Sequence, residues 1–96
     1  MTLFEKIHTK HGCLKTVADV KAFFATLCED MAWHPDNPFA DYVSYHTGEP
    51  TFTPEEAKTL DDIMLLSFLI CTIENVDPYG LACDALNEQY LKSFDL

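Results

Sequence analysis

The stretch FTPEEAKTLDDIMLLSFLICTI, residues 52–73, decides the fold. It opens as a helix start. Thr53 can cap, Pro54 can sit in the first turn where no backbone N–H is needed, and Glu56 can reach back to the cap amide. Ala57, Leu60, Met64, Phe68 and Cys71 then share one stripe, while Ile63, Leu66, Ile70 and Ile73 share another. Between 63 and 73 the helix is apolar nearly all round, as buried helices are. The spacing predicts a central helix over about 54–75, covered by the others. A bilayer crossing needs roughly 20 apolar residues, so this shorter run belongs to a core and not to a membrane.

Further helices flank it. Leu3, Phe4, Ile7, His11 and Leu14 lie close to one helical face, and Gly12 follows His8, Lys10 and His11. That is a stop signal, with cations at the negative end of a helix dipole, so the first helix covers about 2–11. Thr16 with Asp19 forms a capping box for a second helix over about 16–31. Val17, Val20, Phe24, Leu27, Cys28 and Met31 recur there at three- and four-residue steps, with Phe23 beside them. Asp77-Pro78 starts a fourth helix, about 78–93, which offers Leu81, Ala82, Ala85, Leu86, Tyr90 and Phe94 for packing. The expected fold is all-α, a compact bundle of four principal helices.

An aromatic-rich connector, residues 32–52, joins the second and third helices. An unstructured connector of about twenty positions is uncommon in a compact domain, so it should hold a short element. Phe39, Tyr42, Val43 and His46 fit a short helix inside 37–47 between Asn37-Pro38 and Gly48. The alternative is a small hairpin pairing YVSY with TFT across HTGEP. The helix is preferred. In either form Trp33, Phe39 and Tyr42 should pack inward as a lid on the central helix, since exposed rings would leave a large apolar patch.

The chain has 96 residues and fits one helical domain, 1–96, with 48% apolar residues. MTLFEKIHTKHG lacks the apolar core of a secretory signal, so a soluble, cytoplasmic protein is expected. Cysteines 13, 28, 71 and 83 show no close pairing and are read as reduced thiols. Sixteen carboxylates oppose six lysines, with no arginine, for a formal net charge of −10. Direct nucleic-acid binding needs clustered cations and is excluded, and anionic membranes are disfavoured. A protein partner, especially a basic one, and a homodimer both stay open.

Two side-chain clusters offer candidate sites. His8, His11 and Cys13 could ligate a metal, but the helix terminus accounts for both imidazoles. His34, Asp36, Asp41 and His46 could serve a metal or acid–base chemistry, although Asp36 suits a turn and Asp41 a helix start. Nucleophile motifs and phosphate-cradling glycine loops are absent from the sequence, and the adjacent acids 29–30, 55–56 and 61–62 point about 100° apart on a helix. No catalytic residue and no cofactor is assigned, and an enzyme is not expected.

The patterns HPDNPFADYV and GEPTFTPEEA, within residues 34–57, resemble small acidic bacterial proteins of uncharacterised role, of the kind found in gut anaerobes and on their mobile elements. The resemblance implies a bacterial accessory protein and carries no residue role. The leading expectation is a non-enzymatic protein-interaction module whose partner contacts are His34, Asp36, Asp41 and Tyr45. The alternatives are a small metal-binding protein using His34, Asp36 and His46, or an acidic DNA mimic that blocks a basic nucleic-acid-binding protein.

Overall fold

The helices begin where side chains replace the missing partners of the first amides. The computed structural model describes residues 2–31, 33–44 and 46–94. Its elements are α1 (Leu3–His11), α2 (Val17–Asp30), a 3-10 turn (Phe39–Asp41), α3 (Pro54–Ile73) and α4 (Pro78–Phe94). Thr2 accepts from the Glu5 amide at 3.1 Å to start α1. At α2 the Thr16 hydroxyl accepts from the Asp19 amide at 3.1 Å, and the Asp19 carboxylate accepts from the amides of Thr16 and Lys15 at 3.0 and 2.9 Å. The Lys15 amide, then that of Thr16, holds the Asp19 carboxyl below its ordinary range. The box recurs at α3, where Thr53 accepts from Glu56 at 3.2 Å and Glu56 accepts from Thr53 at 2.9 Å. Asp77 caps α4 by accepting from the Tyr79 amide at 3.1 Å, with Pro78 as the first helical residue.

Helix α3 ends two residues before the expected boundary. Asn75 adopts φ +57°, the left-handed conformation that closes helices. The Val76 amide then donates back to the Cys71 carbonyl at 2.7 Å and the Asn75 amide to Thr72 at 3.2 Å. Val76 also packs on the core, completing the hydrophobic contact of this stop.

The core is built on α2, which packs against α1, α3 and α4. Val20, Phe23, Phe24 and Leu27 are fully enclosed. Helix α3 also reaches α1, α2, α4 and the 3-10 turn, and buries Ala57, Leu60, Ile63, Ser67, Ile70 and Cys71. The expectation that it is covered on all sides needs correction, because Leu65, Leu66, Leu69 and Ile73 are 61%, 38%, 51% and 78% exposed. The reason is geometric: α4 lays its apolar face chiefly on α2, so no helix remains to cover the outer side of α3. Phe68, expected near the centre, is half-buried. The Phe94 side chain, also expected to pack, lies outside the described residues.

The connector holds both of the elements that competed for it, each in reduced form. The helix is the three-residue 3-10 turn, and the hairpin is an antiparallel bridge between Val43 and Pro50. The Thr51 amide donates to Tyr42 at 2.9 Å and the Ser44 amide to Glu49 at 2.8 Å, so YVSY pairs with TFT only at its first residue, Thr51, and otherwise with Glu49 and Pro50 of HTGEP. Gly48 at φ +71° makes the reversal. The rings do turn inward. Phe39 meets Phe52 at 5.9 Å and the 3-10 turn lies on α3, while the Asp61 carboxylate accepts from the Phe39 amide at 3.2 Å. Trp33, however, packs on Phe24 of α2 at 4.9 Å, so the lid spans two helices.

His11 departs from its expected role. It is buried, with Nε2 2.8 Å from the Thr26 hydroxyl and its ring 5.6 Å from Phe23. Burial, then neighbouring Lys10, lowers its pKa from 6.5, so at neutral pH it is an uncharged core residue and not a cation at the helix end. His8 is exposed and stacks on Phe4 at 5.4 Å. Gly12 itself is not left-handed; an added Cβ would lie 2.6 Å from the His8 carbonyl oxygen.

Phe24→Ala should cost about 3–5 kcal/mol in chemical denaturation, while Leu65→Ala should change stability by no more than about 0.5 kcal/mol. For His11 the unfolded chain binds the proton more tightly than the folded one. Its contribution is therefore present above pH 6.5 and is lost as pH falls through that value toward the lowered folded pKa. His11→Gln should flatten the fall in stability over that acid range.

Candidate functional site

The connector is strapped by one phenol. The Tyr42 hydroxyl accepts from the His34 amide at 2.9 Å and donates to the His34 carbonyl at 3.1 Å, so a single side chain satisfies both backbone groups of His34. Burial raises the Tyr42 pKa, which keeps the donor proton in place. Beyond this clasp the His34 ring accepts the Asp36 amide on Nδ1 at 3.2 Å, and the same nitrogen lies 4.0 Å from the Asp36 carboxylate. Both side chains are exposed. A hydrogen bond with the Asp36 carboxylate, reinforced by its charge, raises the Tyr79 pKa. Tyr79 sets its ring edge-on against Phe68 at 5.5 Å. His34 and Asp36 therefore stand where the connector meets the start of α4 and the flank of α3.

Asp41 and His46 stand elsewhere. They line a cavity of about 550 Å³ between the start of α1, the end of α2 and the connector, with Leu3, Met31 and Tyr42 among its apolar walls. Asp30 also borders it, in an ion pair of 2.8 Å with Lys6. His46 belongs to this cavity and His34 and Asp36 do not. Among the described residues no three His, Cys, Asp or Glu side chains converge as metal ligands do. Of the grouping His34, Asp36 and His46, the first two lie 4.0 Å apart and His46 lies in the turn closed by the Val43–Pro50 bridge. Tyr45, the remaining expected contact, lies outside the described residues.

Ser67, Cys28 and Cys71 are committed to structure, while Cys13 and Cys83 are exposed. Ser67 donates to the Ile63 carbonyl of its own helix at 2.9 Å. All four cysteines are free thiols. Burial pushes the Cys28 thiol up to about 11 and raises that of Cys71, which leaves both as inert core groups.

Sequence reasoning missed the open face of α3. Leu65, Leu69 and Ile73 follow one another at four-residue steps, with Leu66 beside them, so one side of the helix presents a continuous apolar row. Asp62 and Glu55 continue that side toward the N-terminus, and Lys58 is tied to Asp62 at 3.3 Å. Glu74 follows at the other end. Leu65 and Leu69 belong to neither apolar stripe of the sequence, and that is the signal that could have found this face. Phe68, three residues from Leu65, carries Tyr79 and through it Asp36, so the polar rim of the connector adjoins the row. Exposed apolar side chains and a polar border thus lie side by side on this part of the surface.

Comparison of the chain with protein-family models, curated proteins and solved structures finds no match.

The two connector side chains should separate by magnitude. Phe39→Ala removes an enclosed ring and should cost about 3–5 kcal/mol. Tyr42→Phe keeps the ring and loses the clasp, so it should cost about 1 kcal/mol and speed amide exchange at His34.

Proposed function

We propose that the chain is a non-enzymatic, acidic helical interaction module that binds a protein partner on the open face of α3. The observation that carries this reading is the row Leu65, Leu66, Leu69 and Ile73, apolar and exposed along one side of a well-capped helix. A small protein that leaves such a row uncovered keeps a standing incentive to bury it, and patches of this kind mark association sites. His34 and Asp36 supply a polar border through Tyr79 and Phe68. Asp41, at the cavity, is a secondary contact that a partner reaches only by extending over the connector. Four free thiols suit a reducing compartment such as the cytoplasm. The resemblance of residues 34–57 to small acidic bacterial proteins fits an accessory role in a bacterium, in which the module acts by attachment to another component.

The test uses the folded chain as bait in its host's extract, beside the Leu65→Gln/Leu69→Gln double variant. Substitution at exposed helical positions should shift stability by about 1 kcal/mol or less. The variant should keep the helical circular dichroism of the parent and lose the captured partner. Equal capture by both proteins would overturn the reading.

A further inference from the structure

Resting on the interaction reading above, we infer that the occupant of the open α3 face is a basic amphipathic helix of another protein, with leucine-like anchors flanked by lysine or arginine, and not a second copy of this chain. The apolar row from Leu65 to Ile73 is about 12 Å long at roughly 1.5 Å per residue, which matches two turns of a facing helix. Its three- and four-residue steps are the spacing that helical anchors interdigitate with. The face also offers little to a strand. Among the described residues strand pairing is confined to the Val43–Pro50 bridge, so no open ladder is present for an extended peptide to join. Thr72, at the border of the row, donates its hydroxyl to the Phe68 carbonyl at 2.8 Å and leaves no hydroxyl proton for a partner to satisfy.

Charge selects the occupant. Glu55 and Asp62 lie on the row's side toward the start of α3, and Glu74 follows the last helical residue, beside the negative end of the α3 dipole. The one lysine of α3, Lys58, is held by Asp62, and Lys6 and Lys21 are likewise paired with Asp30 and Glu88. A second copy would bring a net charge of −10 against −10, with no arginine to bridge the carboxylates. A helix with cations beside its apolar anchors meets an acidic side at Glu55 and Asp62 and the negative end of the α3 dipole, and this opposite charge speeds encounter and favours it over an acidic partner.

The test is fluorescence anisotropy with two labelled synthetic helices that share the same leucines at i, i+3, i+4 and i+7. One is flanked by lysines and the other by glutamates. The lysine helix should bind the full chain at least about tenfold more tightly than the glutamate helix, and more weakly as ionic strength rises from about 0.05 to 0.5 M. Leu65→Gln/Leu69→Gln should abolish binding at unchanged helicity. Equal affinity for the two helices, or binding that survives the double variant, would overturn the inference. So would sedimentation of the parent as a dimer that the double variant dissolves, since the second copy would then be the occupant. If neither helix binds while the parent alone still captures a host protein, the basic-helix inference falls and the interaction reading stands. If capture fails as well, both fall.

Discussion

The packing of Phe23 and Phe24 on α2 is the interaction on which the rest of the molecule depends. The adjacent rings point about 100° apart on the helix, so α2 buries two directions at once. Phe23 receives His11 from α1, and Phe24 receives Trp33 from the connector. Val20 and Leu27, one turn before and one turn after, extend the enclosed surface along the helix. Each large buried side chain contributes roughly 1.5–3 kcal/mol of transfer free energy, a large share of the margin available to a domain of this size.

The connector is held to this centre by rings and finished by hydrogen bonds. Trp33 fastens its start to α2, while Phe39 and Phe52 fasten its middle and end against α3. With those points fixed, the Tyr42 clasp and the Asp61 contact to the Phe39 amide satisfy backbone groups that the irregular path leaves over. The Trp33 indole N–H is buried without a partner among the described residues, a cost that the ring contact with Phe24 offsets. The polar side chains that remain outside are spread by this path. His34 and Asp36 fall toward Tyr79, and Asp41 and His46 toward the cavity.

The open row on α3 follows from the same arrangement. A bundle of four helices can surround one member only if the other three divide around it, and here α1 and α4 both lie on α2. Surface-to-volume scaling makes that outcome common in short chains, which cannot enclose all of the apolar area they carry. Carboxylates remain in excess on the surface. Three of the six lysines are paired to acids of the same chain, and the formal net charge is −10.

Local chemistry was legible in the sequence wherever it acts within a few residues. Thr16 with Asp19, Thr53 with Glu56, and Asp77 with Pro78 marked helix starts because caps are closed by side chains three positions away. The apolar steps of α2 marked its core face because helical periodicity follows from backbone geometry alone. The left-handed Asn75 that stops α3 was missed because asparagine tolerates that conformation without requiring it. Which side of an apolar-all-round helix stays open, whether His11 is a surface cation or a buried partner of Thr26, and which of four connector polar groups meet were all decided by tertiary structure. In each case the deciding neighbours lie on another element. Sequence determined where helices form and which residues carry apolar area; the way three other helices share the space around Phe23 and Phe24 determined which apolar residues stayed exposed.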